Sequence, residues 1–98
     1  MEVESGIVKE VVPTVEGWTR ITLTLLDSPR WDETSVNYHT TLSETERRYL
    51  AGRNIDIITR DSDLRNGGIT EEITCAGGSY HKVNLSPEQV KRILNSNP

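Results

Sequence analysis

The hydrophobic positions in the first third of the chain alternate with polar ones as strands do. Glu4 to Val12 offers Ile7, Val8, Val11 and Val12 to both faces, and Pro13, which has no amide proton to donate, ends the run. Thr14 to Gly17 reads as a turn. In Trp18 to Leu26, Ile21, Leu23 and Leu25 fall on one face while Arg20, Thr22 and Thr24 fall on the other. The two segments predict a β-hairpin. Asp27 to Ser35 is a polar loop holding Pro29 and Trp31. Val36 to Leu42 alternates once more and predicts a third strand.

The period then changes. Ser43 precedes Glu46 at the spacing of a capping box, in which each residue satisfies the other's backbone amide. Glu44 and Glu46 favour the positive end of a helix dipole, Arg47 and Arg48 follow, and Gly52 can take the left-handed conformation that ends a helix. Asn54 to Arg60, with β-branched Ile55, Ile57 and Ile58, predicts a strand. Asp61 to Gly68 reads as a turn, Ile69 to Cys75 as a strand, Ala76 to Ser79 as a glycine turn and Tyr80 to Leu85 as a last short strand. A second helix starts with Ser86 as cap, Pro87 in the first position and Gln89 closing a capping box, with Leu85 and Val90 as a hydrophobic staple. Val90, Ile93 and Leu94 form one apolar stripe for docking on the sheet, and Asn95 to Pro98 should fray.

The expected fold is α+β, in a single domain over residues 1–98. It is an antiparallel sheet of five to six strands, or a partly open small β-barrel, with one central and one C-terminal helix. Three strands, a helix and two more strands resembles the order of an OB-type barrel. That resemblance runs to about Cys75, no sequence motif accompanies it, and it implies oligonucleotide binding. An open sheet with both helices on one face fits almost as well.

Composition narrows the function classes. The chain is 34 % hydrophobic with no Phe, a lean core that leaves little room for a large internal cavity. Its net charge of −4 works against broad binding to a phosphate backbone, which needs clustered Lys and Arg. Cys75 is the only cysteine, so no internal disulfide forms and an oxidising compartment is not implied. The acidic start, MEVESGIVKE, lacks the apolar core of a signal peptide, and no apolar run approaches the roughly 20 residues of a membrane span. A cytoplasmic protein with no membrane association is expected.

The candidate chemistry is that of a surface. Trp18 shares parity with Arg20 on the polar face of its strand, Trp31 lies in a loop beside Arg30, and Tyr38 falls in the third strand. Aromatic rings beside arginine suit peptide gripping or base stacking, because they give contact area at low entropic cost. A tryptophan folded over the core's margin is the competing role for Trp18. Arg47, Arg48, Arg53, Arg60 and Arg65 crowd the central segment, although Glu44 stands at pairing distance from Arg47 and Arg48.

Other constellations fail on spacing. Asp61, Asp63, Asn66 and Glu72 imitate a calcium loop, but Arg65 sits at a ligand position and Asn66 where glycine belongs. Cys75, His39 and His81 lack zinc spacing, and Cys75 shares parity with Ile69 and Ile73 as a small buried hydrophobe. Glu71 and Glu72 face opposite ways on a strand and make no acid–base pair. No catalytic, metal or cofactor set is therefore assigned. The expectation is a binding module, of adaptor or inhibitor type, that contacts a protein partner through Trp18, Arg20, Arg30, Trp31, Tyr38, Arg47 and Arg48. A single-stranded nucleic-acid binder of OB type is the alternative. A site formed only at an oligomer interface is the further one, the chain being a monomer or small homo-oligomer.

Overall fold

A computed structural model describes residues 1–61 and 67–96. In chain order the elements are β1 (Glu2–Pro13), β2 (Thr19–Thr24), β3 (Glu33–Tyr38), α1 (Glu44–Leu50), β4 (Asn54–Asp61), β5 (Ile69–Cys75), β6 (Gly78–Leu85) and α2 (Pro87–Ser96). The strands form one six-stranded antiparallel sheet in the order β3-β2-β1-β4-β5-β6. The sheet curls without closing, and β3 and β6 are its edges. The α+β class, the antiparallel sheet and the two short helices are as expected from the pattern.

The curl begins in β1, which serves two neighbours in succession. Its first half pairs with β4, from Glu2↔Thr59 to Ile7↔Asn54, and its second half with β2, from Ile7↔Thr24 to Pro13↔Thr19. Gly6 lies at the changeover. A Cβ there would stand 2.5 Å from the Thr24 carbonyl oxygen, so only glycine lets the two strands approach so closely. A register shift between Val8 and Glu10 marks a β-bulge, which sharpens the bend. The bulge is used. The Val8 N–H donates to the Arg53 carbonyl at 2.8 Å and the Val8 carbonyl accepts from Gly52 N–H at 2.9 Å, tying the exit of α1 to β1.

The inward faces contribute Val8, Ile21, Leu23, Tyr38, Ile55, Ile57 and Ile73 to one core, joined by Leu42 and Leu50 from the α1 region. α1 has both halves of its capping box: Glu46 N–H donates to Ser43 Oγ at 3.1 Å, and Ser43 N–H to Glu46 Oε1 at 2.8 Å. Gly52 follows it at φ 79°. At α2, Ser86 N–H donates to Gln89 Oε1 at 2.8 Å and Gln89 N–H to Ser86 Oγ at 3.2 Å. No helix among the described residues is long and apolar enough to cross a membrane.

Several boundaries differ from the sequence pattern. β1 starts at Glu2 and includes Pro13, which pairs with Thr19 instead of stopping the strand before it, and β4 reaches Asp61. β2 ends at Thr24, so Leu25 and Leu26 belong to the following turn, and Trp18 lies just before the strand. β3 occupies Glu33–Tyr38 instead of Val36 to Leu42. The reason is the buried hydroxyl of Thr19, which donates to the Thr40 carbonyl at 2.9 Å and accepts from Leu42 N–H at 3.2 Å. These bonds draw the chain out of the sheet after Tyr38. β6 begins at Gly78, so the preceding glycine turn is tighter than the sequence suggested. Most of the Asp61 to Gly68 segment, including Asp63, Arg65 and Asn66, lies outside the described residues.

Candidate functional site

The residues singled out from the sequence do not form one surface. Trp18 and Trp31 lie beyond opposite ends of β2, which at about 3.4 Å per residue holds them roughly 20 Å apart. Tyr38 is wholly buried in the core and offers nothing to a partner. Arg20 is exposed on β2 opposite Asn37 of β3. Arg30 is exposed in the β2–β3 loop, next to Trp31. Arg47 donates to the Leu42 carbonyl at 2.6 Å, and Arg48 pairs with Glu44 at 2.7 Å along the helix. Arg60 meets Glu72 at 3.3 Å. The central arginines described here are thus committed to neighbours in the fold.

Tyr38 instead anchors an internal polar line that the sequence did not reveal. Its hydroxyl lies 2.7 Å from His81 Nδ1 on β6 and 3.5 Å from the Glu71 carbonyl on β5. His81 Nε2 lies 3.6 Å from Glu46 Oε2 on α1. His81 thus bridges the two, with Nδ1 hydrogen-bonded to the Tyr38 hydroxyl and Nε2 turned toward Glu46. Burial first, and then the Glu71 and Glu46 carboxylates, push the Tyr38 phenol well above its ordinary range, so it stays a neutral donor. Tyrosine, histidine and glutamate in line look like a catalytic relay, but the tyrosine is sealed from substrate. Their work is to hold β3, β6 and α1 together.

His39 carries a second cross-sheet link. Glu71 Oε1 accepts from the His39 backbone N–H at 3.0 Å, and Oε2 lies 2.9 Å from His39 Nδ1. Glu71 is buried because it shares an inward face with Ile69 and Ile73, and that parity was the available signal in the sequence. Glu72, its neighbour, turns to the other face and meets Arg60 and Ser79. The Ser79 hydroxyl, followed by Arg60, holds the Glu72 carboxyl below the usual range. The edge of the Trp18 ring packs on His39 with centroids 4.6 Å apart. Trp18, His39, Leu85, Gln89 and Ile93 line a shallow cleft of about 290 Å³. Trp18 is therefore half-covered.

Trp31 is the opposite case. The residue is 68 % exposed, and its backbone has φ 56°, the left-handed region that non-glycine residues rarely adopt. The loop that holds it is knotted around Ser28. Ser28 Oγ donates to Asp32 Oδ2 at 2.8 Å and accepts from Arg30 N–H and Asp32 N–H, each at 3.3 Å. Trp31 N–H donates to the Ser28 carbonyl at 3.2 Å, and Leu25 N–H to the Asp32 carbonyl at 2.8 Å. A left-handed non-glycine residue costs roughly 1–2 kcal/mol, which these bonds offset. Leu26, earlier in the same loop, is also exposed.

A third aromatic feature lies at α1, where Tyr49 stacks on Tyr80 with centroids 4.4 Å apart and the Arg53 guanidinium sits 3.9 Å from the Tyr49 ring centre. Cys75 lines a small cleft at the β5–β6 turn with Tyr49 and Tyr80. Among the described residues no group of His, Cys, Asp and Glu could hold a metal ion. The chain matches no family model, no curated protein and no solved structure.

Proposed function

We propose that this chain is a small binding module that docks on a protein partner through the β2–β3 loop, with Trp31 as anchor. One observation carries this reading: a largely exposed tryptophan held at φ 56° by a loop whose polar groups are bonded to one another. A rigid aromatic loses little entropy on contact, and buried tryptophans are the commonest binding hot spots. Leu26 adds exposed apolar area to the same loop, and Arg30 and Asp32 flank Trp31 with polar groups.

The test is Trp31→Gly, which removes the ring but keeps the left-handed turn. Partner captured from host lysate by the wild type would be purified and its affinity for both proteins measured. Loss of at least about 2 kcal/mol is expected for an anchor residue, with fold stability unchanged within about 1 kcal/mol. Equal affinity would overturn the assignment.

A second reading, single-stranded nucleic-acid binding of OB type, is favoured by the strand order. β1 is shared by β2 and β4, and α1 lies between β3 and β4, as in such barrels. Both faces of the Tyr49 ring are already covered, by Tyr80 and by the Arg53 guanidinium, so base stacking would need other rings. The net charge of −4 and the paired arginines place it second. Titration with oligo-dT at two salt concentrations tests it, because phosphate binding weakens steeply as salt rises.

A further inference from the structure

We infer that the free edge of β3 receives an extended peptide segment from a partner, with aliphatic side chains on one face and Lys or Arg at its flanks. The inference rests on the protein-binding reading and names the chemistry of the partner, but it uses a different surface from Trp31.

It starts from the direction of the backbone groups. Among the described residues β3 pairs only with β2. The bond from Leu25 N–H to the Asp32 carbonyl extends that ladder and fixes its alternation. Thr34, Val36 and Tyr38 therefore exchange bonds with Leu23, Ile21 and Thr19. Glu33, Ser35 and Asn37 turn their N–H and C=O groups away from β2. His39 continues the same outward row, and its N–H is the one that Glu71 takes up. At that point a side chain stands in for a missing strand. From Asn37 back to Glu33 no strand pairs with the row among the described residues.

This edge has few of the devices that usually guard one. It carries no proline, no lysine and no bulge, and the Glu33 carboxylate is paired with Lys9 of β1. Beside it lies a cleft of about 430 Å³ on the concave face of the sheet. Val36, Ile57, Ile69, Leu85, Val90 and Ile93 form its apolar wall. A strand added to β3 would send alternate side chains into that wall and the others to solvent, which is how strand addition combines affinity with selectivity. Glu2 and Glu4, on the same face of β1 as buried Gly6 and Val8, line the cleft and are exposed. Among the described residues that line it, the acidic side chains are Glu2, Glu4 and Glu71, of which Glu71 is already engaged by His39, and there is no Lys or Arg. The rim thus selects a cationic flank and repels a polyphosphate. A second copy paired edge to edge would set two acidic rims against each other.

The experiment uses two synthetic peptides, Ac-KKVTVTVKK-NH2 and Ac-EEVTVTVEE-NH2, titrated into the 15N-labelled full chain. The lysine peptide is expected to shift the Ser35 and Asn37 amides and to bind at least about tenfold more tightly than the glutamate peptide. Ser35→Pro removes an outward donor that no ladder bond uses, and should abolish binding while Ser35→Ala keeps it. Glu2→Lys combined with Glu4→Lys should reverse the preference between the peptides, a result that does not depend on a proline being tolerated. Binding of neither peptide, equal binding of both, or shifts confined to the β2–β3 loop overturns the inference. So does a dimer in sedimentation with the β3 amides protected, or oligo-dT shifting the same amides. Trp31→Gly is expected to bind the lysine peptide as wild type does. If peptide binding survives while Trp31→Gly keeps full partner affinity, the edge site stands and the Trp31 anchor falls. If neither peptide binds but Trp31→Gly loses the partner, the reverse holds.

Discussion

The two ends of β3 face the same problem and meet it differently. At Tyr38 and His39 the missing neighbour strand is replaced by side chains, with Glu71 capping a backbone amide and His81 hydrogen-bonded to the tyrosine hydroxyl. From Glu33 to Asn37 the outward backbone groups are left to solvent and the adjoining cleft. The difference follows from burial. Inside the core an unpaired amide or carboxylate costs several times the net value of one hydrogen bond, so partners must be supplied by the fold. At the rim water supplies them, and the edge stays available.

The sharpest test of the buried end is Tyr38. Tyr38→Ala should lower stability by roughly 3–5 kcal/mol in urea unfolding, since it empties a core position. Tyr38→Phe keeps the ring and strands the His81 nitrogen, for a loss of about 1–3 kcal/mol. If the phenylalanine variant is as stable as wild type, the hydroxyl does not hold the sheet edge in place. Glu71→Ala should cost about 1–3 kcal/mol by orphaning the His39 amide, whereas Glu71→Gln keeps one acceptor and should cost less. Equal losses in the two would mean that the carboxylate's charge, not its acceptor geometry, is what matters.

Proton titration probes the buried end and its surroundings. The Ser43 amide bonded to Glu46, and the Ser79 hydroxyl and Arg60 beside Glu72, hold both carboxyls low in the fold. Their stabilisation is present above the unfolded carboxyl range of about 4.3 and is lost as pH falls through the depressed folded values. Tyr38 has the opposite sign. Its raised phenol stabilises the fold below about pH 10, and that contribution fades as pH climbs beyond it. Tyr38→Phe should remove the alkaline loss and leave the acid one, as read by melting temperature across pH. The smallest effect belongs to the open end, where Ser35→Ala should change stability by no more than about 0.5 kcal/mol.

Local signals in the sequence were legible where one residue decides one element. Ser43 with Glu46, Ser86 with Gln89, and Gly52 each placed a helix end. β5 has the bounds that its own alternation suggests. β3 was displaced because Glu33 to Ser35 have no apolar residue to mark a strand, while Thr40 and Thr41 prolong an alternation that the Thr19 hydroxyl interrupts. Of the site, Trp31 was visible as a loop aromatic, but its left-handed backbone depends on Ser28 and Asp32 acting together. The His39–Glu71 and Tyr38–His81 links join residues far apart in the chain, and no spacing rule announces such pairs.

The shared strand β1 also sets an order of events for a chain made from its N-terminus. Glu2 to Ile7 are synthesised before their partners in the sheet, Asn54 to Thr59, which come after the whole β2–β3 hairpin and α1. The hairpin of β1 and β2 can zip early, while the first half of β1 waits as an open ribbon. Pairings of such long sequence separation slow the search for the native state, toward milliseconds to seconds for β-rich domains of this size. The bend at Gly6 is therefore also a pause, the place where early structure stops until the rest of the chain arrives.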